Sequence, residues 1–103
     1  MDQIQEMSDV FKLLGDRTRL TIISLLQHQE LCVCDIVEAV GISQPGVSQH
    51  LRKLKDGGLV IENRKGQWIY YSLNTNSNPF IHDLFKHLPS LKDKIKLTNS
   101  CCD

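Results

Sequence analysis

Apolar residues near the start of the chain recur at helical spacing. Between positions 3 and 14 they fall at steps of three and four residues, which predicts a helix with one apolar stripe: Ile4, Met7, Val10, Phe11 and Leu14. Gly15 should end this helix, and Asp16 can cap a second helix over 17–27. The second helix should turn its own apolar residues toward a core: Leu20, Ile22, Ile23 and Leu26.

Two further helices follow at a spacing typical of a helix-turn-helix. The first is predicted over 35–40 and stops at Gly41, because glycine readily adopts the left-handed conformation that closes a helix. Ser43 can cap the second, over 44–55, which turns its apolar residues inward: Val47, Leu51 and Leu54. Two short helices joined by so short a turn predict a helix-turn-helix.

The hydrophobic period changes after position 58. β-Branched and aromatic residues dominate 59–64 and 67–73, so the sequence predicts a β-hairpin, which forms a wing beside a helix-turn-helix. After a polar loop, Pro79 can open a last helix that Pro89 ends near Leu88. The expected fold class is therefore mainly α with a small β-hairpin, a winged helix-turn-helix.

Length and composition limit the class of protein. A chain of 103 residues suits one domain, over 1–90, with a tail over 91–103, and so small a domain gains from burying more surface in a dimer. There is no apolar run long enough to cross a bilayer and no signal-peptide pattern at the start, so we expect a cytoplasmic protein with no membrane partner. No recognisable catalytic arrangement recurs, so we expect neither an enzyme nor an organic cofactor.

The net charge is zero, but the charges are unevenly distributed. Residues 1–42 carry three Lys/Arg and seven Asp/Glu, a net of −4, whereas residues 43–71 carry five and two, a net of +3. The basic excess therefore falls on the fourth helix and the hairpin, where a DNA-binding surface would need it.

The four cysteines form two close pairs, Cys32 with Cys34 and Cys101 with Cys102. In a reducing cytosol, such pairs are more often metal ligands or redox sensors than disulfides. Thiolates select soft ions, which makes all four cysteines candidate ligands of a thiophilic metal or metalloid.

Several motifs, in this order, resemble the ArsR/SmtB family of metal-sensing repressors over about residues 5 to 88. They are Glu-Leu-Cys-Val-Cys-Asp-Ile at 30–36, Ser-Gln-Pro-Gly-Val-Ser-Gln-His-Leu at 43–51 and Gly-Gln-Trp-Ile-Tyr-Tyr-Ser-Leu at 66–73. The resemblance implies a homodimer that represses a resistance operon and leaves its double-stranded operator DNA when a metal or metalloid binds. The Cys-Val-Cys-Asp segment is most similar to that of the arsenic-responsive members, which implies trivalent arsenic or antimony as the inducer.

The chain departs from the family pattern at Val37, where some arsenic-responsive members have a third cysteine. Cys101 and Cys102 could supply a third sulfur, could form a second site or could be idle. Cadmium or lead as inducer, thiol oxidation as the trigger, and a metalloid buffer with no DNA target remain alternatives. Zinc-responsive relatives carry another sensing site on the last helix. Here His82 aligns with one of its ligands, but the other positions hold Phe80, Asp93 and Lys96, so we do not expect a zinc site there.

The spacing of Cys32 and Cys34 predicts a switch. On a helix, residues two apart point to different sides, so both thiols cannot grip one ion while that helix stays intact. Binding should therefore unwind or redirect the first turn of the third helix. The strain would reach the fourth helix through Gly41 and Ile42.

The polar face of the fourth helix and the hairpin tip should contact DNA. Gln49 is the expected base-reading residue, because glutamine can pair bidentately with adenine. The other candidates beside bases are Gln44, Pro45 and Ser48, and those for phosphates are His50, Arg52, Lys53, Arg64 and Lys65. The aromatic residues of the hairpin, Trp68, Tyr70 and Tyr71, should pack the wing rather than stack on bases. The apolar stripes of the first and last helices should form the dimer interface.

Overall fold

The structure is a computed structural model that describes residues 2–74 and 79–91. This part of the chain forms helices and a small antiparallel sheet. The helices of this part are α1 (Gln3–Leu14), α2 (Arg17–Leu26), α3 (Val33–Val40), α4 (Gln44–Asp56) and α5 (Pro79–Phe85). Its strands are β1 (Leu31–Cys32), β2 (Val60–Lys65) and β3 (Trp68–Leu73). The predicted Cys101–Cys102 pair lies outside the described residues.

Local capping sets the starts of α2 and α4 and the end of α3, as the sequence predicted, whereas α5 ends at Phe85, three residues before the predicted Leu88. Asp16 and Ser43 precede α2 and α4, and each side chain accepts a hydrogen bond from the backbone N–H three residues on, at 3.0 and 3.3 Å. Gly41 closes α3 at φ 84° and ψ 20°, the left-handed conformation expected there. The turn between α3 and α4 is therefore set by local chemistry.

The sheet has one strand more than predicted. Its order is β1-β3-β2, and β1 pairs with β3 through Leu31 opposite Tyr71 and Cys32 opposite Tyr70. Helix α3 begins at Val33, two residues before its predicted start, and Cys32 is its N-cap, in an extended conformation with φ −82° and ψ 166°. The expectation that both thiols lie on one helix is therefore wrong, because only Cys34 is helical.

The core lies between the helix-turn-helix and the sheet. Its completely buried side chains come from α2, β1, α3, α4 and the start of the wing: Ile22, Ile23, Leu25, Leu31, Ile36, Val47, Leu51, Leu54 and Leu59. Ile81 and Phe85 of α5 pack into the same core. The apolar stripe of the last helix, which was expected to form part of the dimer interface, is thus partly buried in the core of a single chain. On α1, in contrast, Ile4 remains 79% exposed and Phe11 51% exposed.

Within the described residues, no helix combines the length and the apolar character that crossing a membrane requires.

Candidate thiol site and nucleic-acid interface

Cys32 lies at the junction of the sheet and α3. Its side chain is buried, and Sγ donates a hydrogen bond to Oδ2 of Asp35 at 3.2 Å. Asp35 is the third residue of α3, and its carboxylate contacts the side chain of the N-cap residue. The other oxygen, Oδ1, is buried without a hydrogen-bond partner among the described residues. Sequence reasoning missed this partner, although the Cys-x-x-Asp spacing at a helix start was a signal for it.

Cys34 is the second residue of α3 and is half-buried. Neither Cys32 nor Cys34 forms a disulfide. Among the residues that the structure describes, no three His, Cys, Asp or Glu side chains are grouped so that they could hold a metal ion. The donor chemistry suits a soft ion. The two thiols belong to different elements, Cys32 to β1 and Cys34 to α3.

Glu30, just before β1, connects the thiol segment to the far side of the sheet. Its carboxylate accepts hydrogen bonds from Lys65 Nζ at 2.5 Å and from Asn63 Nδ2 at 3.3 Å. The Lys65 hydrogen bond lowers the pKa of Glu30, and the same contact raises the pKa of Lys65. Lys65 also lies 4.9 Å from the centre of the Tyr70 ring. Its ammonium, predicted to contact phosphate, is thus engaged by Glu30 in this structure.

Helix α4 has the two faces that the sequence predicted. Val47, Leu51 and Leu54 are completely buried and anchor it to the core. The predicted DNA-contacting side chains on its other face are exposed: Gln44, Pro45, Ser48, Gln49, Arg52 and Lys53. DNA contact by each of these residues stays a prediction.

His50 differs from the other residues predicted on α4. It is half-buried, and its Nδ1 lies 3.2 Å from Nη1 of Arg19 and 4.0 Å from Oδ1 of Asp16. Arg19 also donates from Nε to the carbonyl of Leu13 at 2.6 Å. The pKa of Asp16 is lowered, chiefly by the hydrogen bond from the backbone N–H of Arg19. This cluster holds α4 against the junction of α1 and α2, so His50 has a structural partner that the sequence did not reveal.

The wing, defined as β2, β3 and the turn between them, carries the exposed Arg64 near its tip. At its base, Tyr71 is buried and donates from its hydroxyl to Oε2 of Glu62 at 2.8 Å. Burial, and then the Glu62 hydrogen bond and charge, raise the pKa of Tyr71 to about 12. Glu62 also lies 3.5 Å from Nζ of Lys55, which ties the wing to the end of α4. Tyr71 thus packs inward as predicted, while Trp68 and Tyr70 are half-buried.

Comparison with known proteins identifies the family. The model described as "Bacterial regulatory protein, arsR family" matches residues 16–62, which run from the start of α2 into the wing. An arsenic resistance transcriptional regulator of Pseudomonas putida is 40% identical over 79 residues, which cover 76% of this chain and 69% of the relative. The chain belongs to the ArsR family. Its winged helix-turn-helix is the fold expected from the sequence.

One further relative and one solved structure extend the comparison. The arsenical resistance operon repressor of Escherichia coli is 46% identical over 66 residues, 63% of this chain but only 56% of that protein. The homodimeric winged helix-turn-helix domain Mb0332 from Mycobacterium bovis, described as a possible ArsR-family regulator, has 32% identity and a TM-score of 0.70. That match covers 81% of this chain and 74% of the solved one. The P. putida relative is named a transcriptional regulator, and the E. coli relative is named an operon repressor.

Proposed function

We propose that this ArsR-family protein is a homodimeric repressor that binds operator DNA and releases it when arsenite or antimonite binds Cys32 and Cys34. Release would derepress a resistance operon. The observation that carries the proposal is the position of the thiols. Cys32 ends a strand and caps α3, Cys34 lies in the first turn of α3, and only three residues separate α3 from α4. The arsenic and arsenical resistance named in the relatives from P. putida and E. coli supports this inducer class.

The chemistry needs no change of oxidation state. Arsenous acid exchanges hydroxyl groups for sulfur: each As–S bond forms as an As–O bond breaks, and the thiol proton leaves with the hydroxyl as water. Cys32 and Cys34 would take two positions of the trivalent ion. The third position on the arsenic would keep its hydroxyl or bind a sulfur from Cys101 or Cys102. The preference of trivalent arsenic for sulfur over oxygen donors favours it over ions such as magnesium.

The switch follows from the separation of the two thiols between sheet and helix. A ligand shifts a conformational equilibrium only when it binds one shape more tightly than the other. Holding both sulfurs requires the junction of β1 and α3 to change shape, so the ion would favour the changed shape. A shift from 1:99 to 99:1 would take about 5.5 kcal/mol of differential affinity.

The dimer would form through α1 together with the side chains of α5 that remain exposed. Ile4 and Phe11 line a shallow apolar groove of about 520 Å³ with Met7, Ser8 and Lys12. Apolar side chains this exposed are costly unless a partner covers them. A second copy would also place two α4 helices on one face of the duplex, as a palindromic operator requires.

The test measures fluorescence anisotropy of a duplex taken from DNA upstream of the gene, with the full chain and rising arsenite. Saturating arsenite should weaken binding about 100-fold. The Cys32→Ser and Cys34→Ser variants should bind the duplex and should remain bound to it when arsenite is added. Unchanged affinity of the wild-type protein at saturating arsenite would contradict the proposal.

Parallel titrations separate the alternatives. Cadmium and lead salts test the inducer, and loss of DNA binding with peroxide but not with arsenite would favour a redox sensor. A protein that binds arsenite but none of its upstream DNA would be a metalloid buffer. The double variant Cys101→Ser/Cys102→Ser tests the tail, because an unchanged arsenite response removes both thiols from the sensing site.

A further inference from the structure

The short strand β1 makes Cys32 part of the wing sheet as well as the start of α3. Its backbone pairs with Tyr70 of β3, and Tyr70 in turn pairs with Asn63 of β2. Residues directly opposite each other in a sheet project to the same face. Cys32, Tyr70 and Asn63 therefore form one row of side chains from the thiol to the outer strand of the wing.

Glu30, two residues before Cys32, also contacts this row of side chains. Its carboxylate binds Asn63 in the row and Lys65 beyond it, near the turn of the wing. Lys65 also lies over the ring of Tyr70. One carboxylate two residues from Cys32 thus holds two side chains of the strand farthest from β1.

If one ion draws the two sulfurs together, the movement acts between the sheet and α3, because each sulfur belongs to one of them. Cys32 moves with β1 and hence with β3, whereas Cys34 moves with α3, which is anchored by the fully buried Ile36. The wing carries Arg64 and Lys65, both proposed to contact phosphate. A change at the thiols therefore has a direct route to the DNA interface that does not pass through Gly41.

We propose that inducer binding at Cys32 and Cys34 is transmitted to the wing through β1, and that Glu30 is the positioning residue that makes the wing follow. This inference rests on the proposed function and adds a route to it. Glu30 touches neither inducer nor DNA in this mechanism. It acts by coupling Asn63 and Lys65 to the segment that holds the thiol.

The chain contains its own probe of the wing. Trp68 is the single tryptophan of the sequence, and it pairs with Lys65 beside the wing turn. Arsenite should change Trp68 emission of the full chain saturably, and Cys32→Ser should abolish the change. Direct measurement of bound arsenic after gel filtration should give the same stoichiometry for Glu30→Gln as for the wild type.

Glu30→Gln is the decisive variant. It should reduce the Trp68 response and reduce the arsenite-dependent loss of operator affinity by about 1.4- to 5-fold, the range expected for one exposed ion pair. Asn63→Ala should act in the same direction. Glu38→Gln is the matched control, because it makes the same Glu-to-Gln change and removes one negative charge at an exposed position of α3. It should leave both responses unchanged.

The outcomes separate the two proposals. If arsenite fails to release wild-type protein from the operator, the proposed function is wrong. If arsenite releases the wild type, but Glu30→Gln keeps the full Trp68 change and the full loss of affinity, only the route through β1 is wrong. A Glu30→Gln effect matched by Glu38→Gln would show a general charge effect and would also overturn the route.

Discussion

Gly41 offers a clean test of how the turn before α4 is built. Its backbone is left-handed, at φ 84° and ψ 20°, and a Cβ added there would meet no atom within 4 Å. The effect of Gly41→Ala is therefore backbone strain without a steric clash. A left-handed conformation costs an L-residue roughly 1–2 kcal/mol. Alanine also restricts the unfolded chain, which offsets about 0.4–1 kcal/mol of that cost. The net expectation is a loss of about 1 kcal/mol in the free energy of unfolding.

Urea and thermal unfolding followed by circular dichroism can measure this loss at one fixed protein concentration, since a dimer's stability depends on concentration. A change of about 1 kcal/mol corresponds to roughly 4–8 °C in Tm for a domain of this size. Gly41→Asn should cost less than Gly41→Ala, because asparagine tolerates the left-handed region.

Gly58→Ala is the matched control. Gly58 has φ +80° and equally open space, so its variant should lose similar stability without altering the turn between α3 and α4. Gly41→Ala should therefore weaken operator binding more than Gly58→Ala does. If Gly41→Ala unfolds at the same urea concentration as the wild type, the assignment of the turn to a left-handed glycine is refuted.

Three other predictions concern the wing, the DNA surface and the dimer. The pKa of Tyr71 is raised to about 12, so the folded state keeps the phenol proton after the unfolded state has lost it near pH 10. The stabilisation from this hydroxyl is therefore complete below pH 10 and is lost as the pH rises toward 12. Relative to Tyr71→Phe, the wild type should lose about 2 kcal/mol over that window in urea titrations, and parallel curves would contradict the assignment. Lys53→Gln should weaken binding to the operator and to a random duplex alike, and it should lower the salt slope by about 0.9 for each phosphate that the variant no longer neutralises. Gln49→Ala should mainly reduce the discrimination between the two duplexes. An equal loss of affinity for both duplexes would refute the base-reading role of Gln49. Phe11→Glu should shift the protein toward monomer in sedimentation velocity, and an unchanged dimer would exclude the α1 face from the interface.

The helices, the starts of α2 and α4 and the end of α3 could be predicted because their causes are local. The apolar period of α1 and the caps at Asp16, Ser43 and Gly41 each involve residues within a few positions of one another. The exposed face of α4 followed from the same period, because burying Val47 and Leu51 leaves Gln49 and its neighbours outward.

The parts of the site that sequence reasoning missed depend on distant partners. Glu30 meets Lys65 across 35 positions of the chain, and His50 meets Arg19 across 31. No local pattern selects such partners, because many exposed charges of either sign are available to each. The Asp35 contact to Cys32 is local, yet it depended on recognising Cys32 as an N-cap residue, and β1 decides that.

The sequence by itself determined the winged helix-turn-helix, the segment that carries the thiols and the polar face of α4, because periodicity, capping and thiol chemistry act over short stretches. The tertiary structure alone decided that Cys32 belongs to the sheet and Cys34 to the helix. A two-residue strand has too little pattern of its own to be predicted, and it forms only because β3 offers it a paired edge. Because of that long-range pairing, Cys32 and Cys34 lie on the two sides of the junction between the wing sheet and α3.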